Sequence, residues 1–178
     1  MTAELSSPDR IAENSGRMNP EQAASTEPMT TLEIRKGVDS QIDVGGLRYV
    51  ACRREVDVID GGITLYIRSA ATGDDRELLR FDLFRNRPHY HAPASNAQET
   101  EIDASGAASV DEWGIDHLTR RAGELVAESG FDDVPPTLDL PSIAKAGPAL
   151  RQLLAGLSEP TEISNFQVPA ATVAGLRR

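Results

Sequence analysis

Residues 63–85, ITLYIRSAATGDDRELLRFDLFR, decide the fold. Ile63, Leu65 and Ile67 alternate with Thr64, Tyr66 and Arg68, and Leu79, Phe81 and Leu83 alternate with Arg80, Asp82 and Phe84. A period of two is the signature of a strand with one face buried and the other polar. ATGDD between the two runs carries glycine and aspartates, the residues of a tight turn. The stretch therefore predicts two antiparallel strands that present one apolar face.

Upstream, TLEIRK alternates Leu32 and Ile34 against charges, and GGLRYVACRREVDVID continues the pattern. In that second run Val50, Cys52, Val56 and Val58 read as the apolar face, with Tyr49, Arg53, Glu55 and Asp57 opposite. Asp60-Gly61-Gly62 supplies a hairpin turn. Downstream, Pro88 marks an edge or bend, and HYHA and ETEID read as short strands. Residues 31–103 thus predict an antiparallel meander of about five strands.

One apolar face needs a cover. Ser109-Val110-Asp111-Glu112 matches the S-x-x-E capping box at a helix start. Ile115, Leu118, Ala122, Leu125 and Val126 then form an amphipathic stripe, and Gly130 stands where a left-handed residue closes a helix. The expected class is α+β: an antiparallel sheet of about five strands covered on one face by an amphipathic helix, with extended N- and C-terminal tails. Residues 30–132 form the expected core domain. Residues 1–29, rich in Ser, Glu, Asn and Pro, read as a disordered or partner-bound tail. Residues 133–178 read as a proline-rich connector, a short helix with Leu150, Leu153, Leu154 and Leu157 on one side, and a C-terminal tail. A helix that short must dock on its own domain or on another chain.

The chain has 178 residues and a formal net charge of −10. Such a surface repels phosphate backbones, and the arginines at 80–87 are interrupted by Asp82, so no nucleic-acid partner is expected. The single cysteine, Cys52, precludes an internal disulfide and fits a reducing compartment. No apolar run approaches the roughly 20 residues of a membrane span. MTAELSSPDR lacks the basic-then-apolar plan of a signal peptide. A cytoplasmic protein without a membrane partner is the expectation.

The chemistry concentrates in RFDLFRNRPHYH, residues 80–91. His89 and His91, two apart on a strand, share a face about 7 Å apart at the backbone, so both imidazoles can reach one ion. Asp82, Glu99, Glu101 and His117 are the candidates for further ligands. The cupin pattern fails, because APASNAQ occupies the positions where that pattern places a glutamate. The plainer alternative is that the imidazoles bond to Asp82, Arg80 or backbone and fix a strand corner. There is no G-x-S-x-G elbow and no Walker loop. Arg80, Asp82, Phe84, Arg87, His89, Tyr90 and His91 are the candidate binding residues, an aromatic, arginine and histidine mixture suited to an interaction surface.

LLRFDLFRNRPHYHAP, followed by a tryptophan and a helix ending in AESGF, resembles an uncharacterised family of small bacterial domains with a signature close to LRFDCFxxxPHYHY. The likeness covers about residues 45–132 and rests on Arg80, Phe81, Asp82, Phe84, Pro88, His89, Tyr90 and His91. Leu83 stands where that signature has cysteine, which removes a catalytic thiol there. The resemblance implies a fold and brings no activity. Three functions follow from the sequence. The first is a non-catalytic accessory subunit or protein-interaction module, with a protein partner or homo-oligomer and no cofactor. The second is a small metal-dependent enzyme or metal-binding protein centred on His89 and His91, carrying zinc, iron or manganese. The third is a small-anion sensor using Arg80 and Arg87.

Overall fold

A computed structural model of the chain describes residues 27–57, 59–95 and 98–176. Its strands are β1 (Met29–Lys36), β2 (Ser40–Val44), β3 (Leu47–Val56), β4 (Asp60–Ser69), β5 (Glu77–Phe84), β6 (His89–His91), β7 (Thr100–Glu101) and β8 (Glu162–Pro169). They form one 8-stranded sheet in the order β7-β6-β5-β4-β3-β1-β8, with β2 also paired to β3, and every pairing is antiparallel. The meander expected around residues 63–85 is its centre.

The expectation of about five strands falls short for two reasons. The first is that β1 and β2 lie end to end along the same edge of β3. Lys36 pairs with Arg54 and Ser40 with Ala51, so the β1–β2 side carries one extra residue, a bulge that splits what would be one strand. The second is β8, which pairs with β1 over its whole length, from Met29↔Pro169 to Lys36↔Glu162. Its sequence, EISNFQVP, alternates too weakly to announce a strand.

Register decides which face each strand shows. Tyr49 pairs with Ile67, Ala51 with Leu65, Leu65 with Phe81, and Phe81 with Tyr90. Leu47, Tyr49 and Ala51 therefore join Ile63, Leu65, Ile67, Leu79, Phe81 and Leu83 in the core. This reverses the expectation for β3, where Val50 and Cys52 turn to the opposite face. Either alternate set of β3 is apolar enough to be buried, and pairing with β4 selects the one that carries the large Tyr49 ring.

Helix α1 (Val110–Glu128) covers that face. The Ser109 side chain accepts a hydrogen bond from Glu112 N at 3.1 Å, half of the capping box. The Glu112 carboxylate turns instead to Arg151, 2.8 Å away. Ile115, Leu118, Ala122, Leu125 and Val126 are buried as their spacing predicts. Gly130 adopts φ +85°, the left-handed geometry of a helix end. Helix and sheet meet closely at Gly114, where a Cβ would stand 3.0 Å from Leu83.

Residues beyond 133 do not form a bare extended tail. A 3-10 turn (Pro135–Thr137), α2 (Leu140–Ala144) and α3 (Gly147–Ala155) pack beside α1, and Leu150, Leu153, Leu154 and Leu157 enter the same apolar core as Tyr49 and Leu118. The four-leucine helix docks on its own domain. After β8, α4 (Ala170–Leu176) packs against β1. The N-terminal tail expected over residues 1–29 lies outside the described residues except at its end. Among the described residues no helix is long and apolar enough to cross a membrane.

Candidate metal and ligand site

The face of the sheet turned away from α1 carries a different chemistry. Register sets Cys52, Thr64, Asp82 and His89 in one row across β3–β6, and Val50, Tyr66, Arg80 and His91 in the next. These rows follow from strand alternation alone: whatever sends Phe81 and Tyr90 to the core sends Asp82, His89 and His91 the other way. Asp82 and His91 are nonetheless only 3% and 4% exposed, and Thr64 is 0% exposed. A carboxylate that deeply buried needs compensation.

The compensation is specific. Thr64 Oγ1 donates to Asp82 Oδ1 at 2.7 Å. Arg80 Nε donates to Asp82 Oδ2 at 3.0 Å, and Arg80 Nη2 lies 2.6 Å from His91 Nε2, which accepts. His89 Nδ1 lies 2.8 Å from the Arg87 carbonyl oxygen. That contact makes Nδ1 the donor and turns Nε2 inward, 3.4 Å from Asp82 Oδ2. His91 Nε2 stands 3.7 Å from the same oxygen. Asp82, His89 and His91 thus bring one ligand atom each to within 4.8 Å of one another.

The charges interlock. Burial opposes ionisation of Asp82, but hydrogen bonds from His89 and Thr64 and the Arg80 charge outweigh it and hold the carboxyl below its usual range. Burial likewise opposes the His89 imidazolium, yet the Asp82 carboxylate, the Arg87 carbonyl and the Glu99 charge raise its pKa above the ordinary value.

Glu99 stands at the rim, with one oxygen 3.5 Å from His89 Nε2 and the other 3.0 Å from Arg87 Nη2. A cleft of about 310 Å³, lined by Asn86, Arg87, Pro88, His89, Glu99 and Glu101, opens beside His89. The Phe84 and His89 rings stand nearly perpendicular, with centroids 6.1 Å apart.

Most residues singled out from the sequence are brought together here: Arg80, Asp82, Phe84, Arg87, His89 and His91. Two are not. Tyr90 lies on the covered face, stacked on Phe81 at 5.2 Å, as its place between the two histidines requires. His117 lies on α1, stacked on Trp113 at 3.7 Å, on the far side of the sheet from the cluster, and is no ligand for it. Sequence reasoning missed Thr64, whose signal was its alternation with Ile63 and Leu65. Its pairing with Asp82 needed the β4–β5 register.

Fold and site together define a mixed α+β domain whose open sheet face buries a carboxylate–histidine cluster. Residues 32–154, more than half of the chain, match the family described as a domain of unknown function, DUF7700, and the chain belongs to that family. This agrees with the resemblance to an uncharacterised domain family. No curated protein and no solved structure matches the chain.

Proposed function

We propose that this protein binds a divalent transition metal through Asp82 Oδ2, His89 Nε2 and His91 Nε2. The observation that carries the reading is the spacing of those atoms. Two ligand atoms, each about 2.1 Å from one ion at the tetrahedral angle, stand about 3.4 Å apart, and the carboxylate oxygen lies 3.4 and 3.7 Å from the two imidazole nitrogens. Partners outside the ligand set support it. The Arg87 carbonyl on His89 Nδ1 and the Thr64 hydroxyl on Asp82 Oδ1 are the contacts that orient metal ligands. Glu99 is a fourth candidate, and zinc, iron and manganese all suit an imidazole–carboxylate set. Three protein ligands with a remaining open position are the pattern of a reactive centre rather than of a closed structural site.

Arg80 is the competitor. Its guanidinium holds Asp82 Oδ2 and His91 Nε2, the atoms an ion would take, so metal binding requires this flexible side chain to swing out. Titration of the EDTA-treated protein with zinc and with iron(II) is the test. The expected result is one ion per chain, lost in the His89→Ala/His91→Ala variant and bound about ten-fold or more tightly in Arg80→Ala. A protein that takes up no ion, even as Arg80→Ala, refutes the proposal and leaves a structural ion-pair cluster.

The accessory-subunit reading retains one observation of its own. Strand β8 lies at the sheet edge, with Ile163 53% and Phe166 49% exposed. An exposed apolar edge strand invites pairing with another chain. Light scattering of the wild type and of Ile163→Ser/Phe166→Ser checks this. A protein monomeric at high concentration, with fast hydrogen exchange in β8 that no native complex slows, rules it out.

A further inference from the structure

The polar cleft beside His89 adjoins a second, smaller cavity of about 60 Å³, and Arg87, His89 and Glu99 line both. The other described residues lining the smaller one are Val56, Ile59, Asp60 and Phe84. Strand register builds its apolar wall. Val56 pairs with Asp60 and Gly62 with Phe84, so Val56 and Phe84 stand on the open face, in the two rows beyond Thr64, Asp82 and His89. Gly62 puts no side chain opposite Phe84.

The charged groups on this cavity are committed to other partners. Asp60 Oδ1 accepts from Gly61 N at 2.7 Å and Asn86 N at 3.1 Å, and its Oδ2 accepts from Arg87 N at 2.9 Å. Arg87 Nη2 donates to Glu99 Oε2 at 3.0 Å, and the other Glu99 oxygen faces His89. What the cavity offers a ligand is therefore the apolar surface of Val56, Ile59 and Phe84, with His89 at its border. Such a surface gains by burying hydrocarbon and disfavours a charge brought in without a partner. Size narrows the choice. A cavity of about 150 Å³ takes a benzene ring, so one of about 60 Å³ takes a short chain and no ring.

We propose that the ligand of this centre is a short, unbranched aliphatic molecule with one oxygen-donor head. The head takes the open position on the ion, and a tail of roughly two to four carbons enters the cavity against Val56, Ile59 and Phe84. This inference rests on the metal reading and deepens it, and the ligand can fail while the metal stands.

Calorimetric titration of the zinc-loaded full chain with n-alkyl hydroxamates, from acetyl to octanoyl, is the experiment, with zinc content and thermal midpoint measured on every sample. A hydroxamate holds zinc by the same two oxygens whatever its tail, so the series varies the tail alone. Affinity should rise about three- to four-fold per added methylene up to the butanoyl or pentanoyl compound, and fall again by the octanoyl. Val56→Phe, which fills the cavity, should flatten the series. Ile59→Ala, which enlarges it, should lengthen the preferred tail by about one or two carbons. Three results overturn this ligand and leave the metal centre standing: zinc uptake with a flat series, a rise that continues through the octanoyl compound, or a series that both substitutions leave unchanged. A chain that takes up no ion overturns the metal reading and this ligand with it.

Discussion

Each face of this sheet has a deeply buried centre, and the two are buried by opposite means. Under α1 the face is apolar: Leu65, Ile67, Leu79 and Phe81 are fully buried among helix side chains, and water is excluded by packing. On the other face Thr64, Asp82 and His91 are as deeply buried, and their burial is compensated by hydrogen bonds within the row and to Arg80. The comparison separates what holds the fold from what the fold holds. The covered face stabilises by area removed from water, whereas the polar face depends on every partner being present.

The largest effect expected from breaking this division is on the covered side. Leu118→Ala, in the centre of α1, should cost about 2–5 kcal/mol in urea unfolding and leave metal stoichiometry intact. A loss below about half a kcal/mol would mean that α1 does not supply the cover. The polar face should respond the other way. Thr64→Val keeps the shape but strips Asp82 Oδ1 of its donor. It should cost about 1–3 kcal/mol and lower metal affinity about 10- to 100-fold. Unchanged zinc affinity would show that Thr64 does not orient the carboxylate.

The smallest effect expected is on pH dependence. The His89 pKa is raised in the folded state, so its stabilising share is fully present below the unfolded value near 6.5 and fades as pH rises through the folded pKa. Asp82, held low, contributes above the usual carboxylate range and loses its share only as pH falls through its own depressed value. The metal-free protein should therefore lose a little stability between pH 6 and 8, while metal affinity rises because ions compete with the His89 proton. Urea midpoints for the wild type and His89→Gln across that range check it, and parallel curves would remove His89 as the source.

Much of this was legible before any coordinates. The alternation around residues 63–85, the turn between its two strands and the capping box at Ser109 carry local physics that needs no knowledge of distant residues. They sufficed for a one-sided antiparallel sheet with α1 across it, and period two placed Asp82 with Arg80 and His89 with His91. What the sequence could not carry were choices between near-equal local solutions. Strand β3 has two faces apolar enough to bury, and only its register against β4 turned Tyr49 inward and Cys52 out. Strand β8 has little pattern of its own and exists because β1 offers an edge more than 120 residues earlier in the chain. The cluster is of the same kind. Its residue types can be read one by one, but the approach of Arg80 to His91, of Thr64 to Asp82 and of Glu99 to His89 depends on how three neighbouring strands and a loop are aligned. Alternation fixes direction along one strand, while hydrogen-bonded register between strands decides which side chains meet.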